Sequence, residues 1–272
     1  WKPVNDPLEP TAVPTGYIIY RRDGNGAFDN GTRVKECRYE FTPTPGQISS
    51  FKVAAYNDGG EGFPSETVSI GIPSDGKISD KVLIVNNFDR ISSPAYFDGA
   101  ERAGFDNRLD SGVPDRRDIT HIGEMYNFRR SDQWITNDMQ GFGASYSDLA
   151  GNIVAGNSFD YASVHGKAIM RAGYPFYSCS NEKFISDPLF RTDAWTIDMV
   201  CGKQVTTPAG DKVRYNVFPG EMRSAVRSAA EAGINLIVSG AYIATDNEDC
   251  IYPIPADSAY RAEAKAFAKE VL

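Results

Sequence analysis

The sequence is poor in the residues that most often build metal centres and histidine-based active sites. Its 272 residues include only two histidines. The four cysteines lie far apart and form no CxxC pair, which leaves their disulfide state open; they are Cys37, Cys179, Cys201 and Cys250. We therefore expect no metal site and no cofactor.

The sequence also lacks a surplus of basic residues and a long apolar run. A net charge of −8 argues against binding to nucleic acid or to an anionic membrane surface. No run approaches the length of a membrane span, and no signal peptide is present. The chain starts at Trp1 without a Met and stops at Leu272 inside a helical pattern, so we expect a fragment of a longer protein.

The most informative stretch that is present is 81–90, KVLIVNNFDR. Its unbroken β-branched and aliphatic run is typical of a strand buried on both faces of a parallel sheet. Ligands in such sheets bind beyond the carboxyl ends of the strands. The polar residues that follow the apolar run are therefore predicted to lie at a binding edge; they are Asn86, Asn87, Asp89 and Arg90.

Residues 1–73 show short alternating strands separated by turn signals, as in a β-sandwich. The strands are predicted at Gly16–Arg22, Ser50–Tyr56 and Ser65–Ile72. A polar connector over 74–80 then separates this first domain from a second one over 81–272.

The second domain alternates apolar strands with helices, which indicates a three-layer α/β fold with a mainly parallel sheet. Strands are predicted at Tyr174–Ser178, Ala194–Cys201 and Ile234–Ser239, the last one fully buried. Its predicted type is flavodoxin-like or amidotransferase-like. The complete prediction is thus an all-β immunoglobulin-like sandwich, truncated at its N-terminus, followed by an α/β domain.

The turn after the strand at 234–239 is where related folds place a nucleophile. Here it reads Ser-Gly-Ala-Tyr, without a cysteine or a serine elbow. The predicted ligand site at the mouth of the sheet comprises Asn87, Asp89, Arg90, Cys179, Ser239 and Tyr242. Among these, Asp89, Arg90, Cys179 and Tyr242 are the candidate catalytic residues.

Two other chemistries stay open at this stage. Cys179 precedes a predicted helix start, where a thiol pKa is lowered, but it needs a base, and the stripe shared with Ala162 and Ile169 predicts that His165 faces the core. Carboxylates that gather at the mouth could serve acid–base chemistry; the candidates are Asp89, Asp198, Asp246, Glu248 and Asp249.

A long insertion over 91–143 is rich in arginine and aromatic residues and shows little periodicity, which favours a functional loop or subdomain. Aromatic faces beside planar polar groups suit carbohydrate or peptide ligands. We expect Tyr126, Arg129 and Trp134 to be exposed there and to bind the ligand.

Two resemblances accompany these residues. GYIIYRR and FKVAAYNDGGEGFPSETVSI resemble strands C, F and G of a fibronectin type III domain. The stretches VLIVNNFDRISSPAYFDG, GFGASYSDLAGNIVAGNSFDYASVHGKAI and INLIVSGAYIATD resemble a region of secreted proteins of Gram-negative gut anaerobes, labelled xanthan lyase or golvesin-like. Many of those proteins carry an N-acetylmuramoyl-L-alanine amidase-like domain upstream.

The resemblance implies an extracytoplasmic accessory module that binds a polysaccharide or a peptidoglycan fragment, and an upstream domain of the same polypeptide as partner. The alternatives are a polysaccharide lyase or hydrolase that acts on acidic glycans and a structural spacer. No catalytic residue of that family maps onto this sequence. A lyase needs a base and a cation near the substrate, and Arg90 or Arg129 with Tyr242 is the set that the sequence offers.

Overall fold

The computed structural model describes residues 1–3, 10–89, 96–105, 127–144, 160–204, 206–209, 212–243 and 258–272. Thirteen strands are described: β1 (Gly16–Asp23), β2 (Thr32–Val34), β3 (Ile48–Asn57), β4 (Gly60–Glu61), β5 (Val68–Gly71), β6 (Val82–Asn86), β7 (Tyr96–Asp98), β8 (Ala103–Phe105), β9 (Phe176–Ser180), β10 (Thr196–Val200), β11 (Thr206–Ala209), β12 (Lys212–Tyr215) and β13 (Asn235–Ser239). The described α-helices are α1 (Tyr161–Arg171), α2 (Asn181–Ser186), α3 (Pro188–Thr192), α4 (Gly220–Glu231) and α5 (Ser258–Val271).

The chain forms two compact units. The first unit consists of Trp1–Asn86, Ser158–Met199 and Ala229–Ile237, and the second consists of the remaining segments, Asn87–Asn157, Val200–Ser228 and Val238–Leu272. Among the described helices, none is both long and apolar enough to cross a membrane.

A nine-stranded mixed sheet organises the first unit. Its strand order is β13-β10-β6-β9-β5-β3-β1-β2, with β4 paired to β3. The strands β6 and β9 pair in parallel, from Val82 opposite Phe176 to Asn86 opposite Ser180. Both β6 and β10 are buried along their whole length. For β6 this agrees with the apolar run Val82–Val85, whereas β10 buries the polar residues Thr196 and Asp198 as well.

The N-terminal strands join this same sheet, so the predicted immunoglobulin-like sandwich is wrong. The strand β5 pairs antiparallel with β9 at Gly71 and Phe176, and it also pairs with β3. Helix α1 packs on β3 and β5 as well as on β6 and β9. A helix thus covers the face that a second sheet covers in a sandwich, and alternating strand patterns do not distinguish the two arrangements. The predicted division of the chain at residues 73 and 81 stays a prediction.

The strand β13 differs from its sequence prediction in one respect. It lies at the edge of the sheet, and its residues are half-buried or exposed rather than fully buried. The sequence run is as apolar as that of a central strand, but burial depends on whether a further strand pairs beyond it. The edge position of β13 therefore could not be predicted from its own sequence, because it depends on which strands pair in the folded chain.

The second unit holds two small hairpins and the helices α4 and α5. β7 pairs with β8, and β11 pairs with β12, each as an antiparallel hairpin. Phe218 and Phe267 pack with ring centroids 5.3 Å apart. The buried Arg223 donates to the Phe218 carbonyl and pairs with Glu263 on α5, so its charge is compensated. These contacts fix α5 against the start of α4.

Candidate functional site

Asn87 is the first predicted site residue, and the structure buries it. Its N–H donates to the Val200 carbonyl at 2.9 Å. Its side-chain amide donates to Cys201 Sγ at 3.4 Å and to the Val217 carbonyl at 3.5 Å. This amide joins three chain segments at the end of β6, so its described role is structural.

Asp89 forms a reciprocal pair with the buried side chain of Gln204. The Asp89 N–H donates to Gln204 Oε1, and Gln204 Nε2 donates to Asp89 Oδ2 at 2.7 Å. The pair fixes the orientation of the carboxylate across 115 positions of sequence. Arg90, the next predicted residue, lies outside the described residues.

Ser239 ends β13 and Tyr242 lies in the turn that follows, and both residues are half-buried. The Ser239 carbonyl accepts from the Cys201 N–H at 2.7 Å, and the Ala241 N–H donates to the Gly202 carbonyl. A Cβ on Gly240 would press on the side chain of Cys201, so glycine is required for this close approach. The turn is thus shaped by its packing on the end of β10.

Cys179 lies on β9 and is buried. Burial raises the pKa of its thiol to about 12, so the thiol stays protonated at neutral pH and is a poor nucleophile. The following residue, Ser180, caps α2 by accepting from the Lys183 N–H. Cys37, Cys179 and Cys201 are all thiols, and Cys250 lies outside the described residues.

The structure brings together two titratable residues, His165 and Asp198, that the sequence did not predict to be in contact. His165 Nδ1 on α1 and Asp198 Oδ2 on β10 lie 2.7 Å apart. Asp198 is buried, whereas 30% of the His165 side chain is exposed. The hydrogen bond to Asp198 raises the pKa of His165, against the lowering effect of its partial burial. Of the other candidate carboxylates, Asp246, Glu248 and Asp249 lie outside the described residues.

A large cavity lies in the second unit, within the insertion. The segment 127–144 is fixed by hydrogen bonds of its own: Asn127 Oδ1 accepts from the Arg129 N–H at 3.0 Å, and Asn127 Nδ2 donates to Asp132 Oδ2 at 3.2 Å. The ring of Phe128 meets that of Phe97 on β7 edge-on at 5.2 Å. Arg130 pairs with Asp98, which also ties the segment to the β7–β8 hairpin.

A glycine at residue 141 shapes the wall of this cavity. Gly141 has a φ of +83°, and a Cβ there would collide with the backbone at Gln133 and Trp134. A side chain is disfavoured on both grounds. The close approach holds Trp134 at the rim, where 65% of the residue is exposed.

The cavity has a volume of about 1270 Å³ and a wall rich in planar polar groups. Arg102 and Arg129 both line the cavity and lie opposite each other in an isolated antiparallel β-bridge. The remaining polar wall residues relevant here are Asn127, Asp132, Gln133 and Asn137. An exposed indole beside amides, guanidinium groups and carboxylates matches the requirements of a ligand with both apolar faces and hydroxyl groups.

The cavity contains two of the predicted ligand-binding residues, Arg129 and Trp134. Tyr126 lies outside the described residues. The sequence did not single out Arg102, Asn127 or Gln133, because amides and arginines in a segment without periodicity carry no signal of where they point. The described residues contain no cluster of three or more His, Cys, Asp or Glu side chains that could hold a metal ion.

Comparisons with protein-family models, with curated proteins and with solved structures found no match to this chain. The two resemblances described from the sequence therefore stay predictions. Function has to be argued from the sites themselves.

Proposed function

We propose that this chain is an accessory module of a secreted or cell-envelope protein and binds a glycan in the cavity walled by Trp134, Arg129 and Gln133. The observation that carries the proposal is the exposed indole of Trp134 at the rim of an open cavity with planar polar neighbours. Pyranose rings present apolar C–H faces that stack on an indole, while their hydroxyl groups bond to amides and guanidinium groups.

The described contacts support a preformed site. Hydrogen bonds of Asn127 and the constraint at Gly141 fix the backbone on both sides of Trp134. Binding of a ligand then costs little conformational entropy in the cavity wall, so a modest number of contacts can give measurable affinity. The polar wall groups supply orientation, and the indole supplies apolar contact area.

The test is binding of the 272-residue chain to peptidoglycan sacculi and to neutral and acidic soluble polysaccharides, measured by sedimentation and by affinity electrophoresis. We expect Trp134→Ala to weaken binding on the order of 30-fold, as expected when an aromatic anchor is removed. Gln133→Ala, which removes one amide, should weaken it on the order of fivefold.

The matched control is Trp195→Ala. Trp195 is also substantially exposed, but it stacks on Tyr174 in the other unit and lies outside the cavity. This variant should retain glycan binding. Equal losses in W134A and W195A, or no retention of any glycan by the unaltered chain, would refute the proposal. Release of an unsaturated uronate that absorbs in the ultraviolet would instead support a lyase.

A further inference from the structure

The two edges of the nine-stranded sheet are built differently. One edge is β2, which has three residues, Thr32–Val34, and carries the exposed charge of Arg33. Short length and charge are the usual means by which proteins block pairing at a sheet edge. The other edge is β13, whose five residues Asn235–Ser239 include neither a charge nor a proline. This edge has no such block.

The side of β13 that faces away from β10 presents backbone groups at known positions. The Asn235 N–H donates to the Trp195 carbonyl at 3.3 Å, and the Ser239 carbonyl accepts from the Cys201 N–H at 2.7 Å. These two residues therefore direct their backbone groups toward β10. Because neighbouring residues of a strand point their backbone groups in opposite directions, Leu236 and Val238 direct theirs outward. Within the described ranges, no strand pairs with β13 on that side.

The side chains of β13 are unusually apolar for a strand at a solvent-exposed sheet edge. Ile237 is 56% exposed at the centre of the strand. Its neighbours Leu236 and Val238 are half-buried. A continuous aliphatic run is typical of a strand with partners on both sides. A partner strand would remove apolar surface from water and satisfy the outward backbone groups in one step.

We propose that β13 pairs antiparallel with β13 of a second copy of this chain, about a twofold axis through Ile237. In this register Leu236 of one copy lies opposite Val238 of the other, and the two exchange N–H···O bonds. Asn235 lies opposite Ser239, and Ile237 meets its own copy as a non-hydrogen-bonded pair. The result is one continuous sheet through two copies.

The strand itself argues for a second copy as the occupant. Its pattern is polar, three aliphatic residues, polar, so the antiparallel register pairs polar with polar and apolar with apolar residues. It has no charge, so self-pairing brings no like charges together. A twofold contact of this kind is isologous and closes at two copies. The proposal does not depend on glycan binding.

The test is sedimentation equilibrium of the 272-residue chain over a range of concentrations. We expect a dimer, and we expect Ile237→Lys to raise its dissociation constant on the order of 100-fold, because the aliphatic pair is lost and two ammonium groups face each other. The matched control, Thr32→Lys, adds the same charge at the blocked edge and should leave the dissociation constant unchanged. Circular dichroism shows whether each variant is folded.

A second variant tests the register and does not depend on the stability of I237K. Cα atoms of a non-hydrogen-bonded antiparallel pair lie about 4.5 Å apart, within the range that a disulfide spans. Ile237→Cys should therefore form a covalent dimer under mild oxidation faster than the unaltered chain or Thr32→Cys. A monomer at every concentration, equal effects of I237K and T32K, or no faster cross-linking of I237C than of T32C would each overturn the proposal.

Discussion

Asp198 places a carboxylate in the buried centre of β10, and His165 is its described partner. One oxygen of Asp198 lies 2.7 Å from His165 Nδ1, while the other is buried without a hydrogen-bond partner among the described residues. An ionised carboxylate in such surroundings is costly unless a donor compensates it. The imidazole supplies that donor and stays partly exposed, which lets it titrate.

This pair predicts a pH-dependent free energy of unfolding. The pKa of His165 is raised in the folded chain, chiefly by its hydrogen bond to Asp198. The stabilisation is therefore complete below the unfolded-state pKa of about 6.5 and is lost as pH rises through the raised folded-state pKa. Asp198→Asn should lower the free energy of unfolding by about 1–3 kcal/mol at pH 6 and remove this part of the pH dependence.

The measurement is urea unfolding at pH 6 and pH 9, together with the NMR titration of His165. Asp193→Asn is the matched control, because Asp193 forms an exposed pair with Lys81 and such pairs contribute little. An ordinary His165 pKa, or equal effects of D198N and D193N, would contradict the prediction.

Residues of the site were predictable only where their chemistry stands out locally. The exposure of Trp134 and Arg129 was predictable because aromatic and arginine residues are concentrated in one aperiodic segment, and their role in ligand binding stays a prediction. His165 and Asp198 could not be predicted as a pair, because 33 positions separate them and Asp198 sits in an otherwise apolar strand. Asn87 was predicted to follow the carboxyl end of β6, and it does. Its burial could not be predicted, because it depends on the packing of distant segments.

Helix α1 meets the sheet at a position where only a glycine fits. Gly166 is buried in the middle of the helix, and a Cβ there would overlap the ring of Phe176 on β9. Phe176 is itself buried. The helix accepts a residue of low helix propensity at this point because close contact with the sheet more than offsets that cost.

Gly166→Ala should therefore destabilise the protein although alanine is the better helix former. The gain in propensity is about 1 kcal/mol, and a rigid aromatic overlap costs more than that, so we expect a net loss of about 1–3 kcal/mol in denaturant unfolding. Val164→Ala, on the exposed face of the same helix, should stabilise slightly. Phe176→Leu should cost less in the G166A background than alone; additive effects would show that the ring is not the obstacle.

The positions of most strands along the chain could be predicted from the sequence, but the strands with which they pair could not. Apolar runs located the strands β1, β3, β6, β9, β10 and β13 to within a few residues. Strand pairing depends on contacts between segments far apart in sequence, as in the pairing of β5 with β9. For this reason the sequence pattern predicts a sandwich for the N-terminal strands and full burial for β13, and both predictions are wrong.

Hydroxyl groups extend the link between the N-terminal strands and the rest of the first unit. Ser50 and Ser69 share a hydrogen bond of 2.8 Å, and Ser178 on β9 both donates to and accepts from the backbone of Ser69. On the same side, Arg22 of β1 pairs with Asp160 before α1 at 2.7 Å. These bonds run from β1 to β9, so the strands of this unit share one packed face.

This continuity predicts that the N-terminal strands and the parallel strands unfold together. Trp1 contacts Tyr17 of β1 edge-on, and Trp195, which directly precedes β10, stacks on Tyr174. The two indoles therefore report on distant parts of the sheet. Variants that keep only Trp1 or only Trp195, with phenylalanine at the other tryptophans, should show urea transitions with the same midpoint and slope. Two separated transitions would mean that residues 1–73 fold as an independent domain and that the pairing of β5 with β9 contributes little to stability.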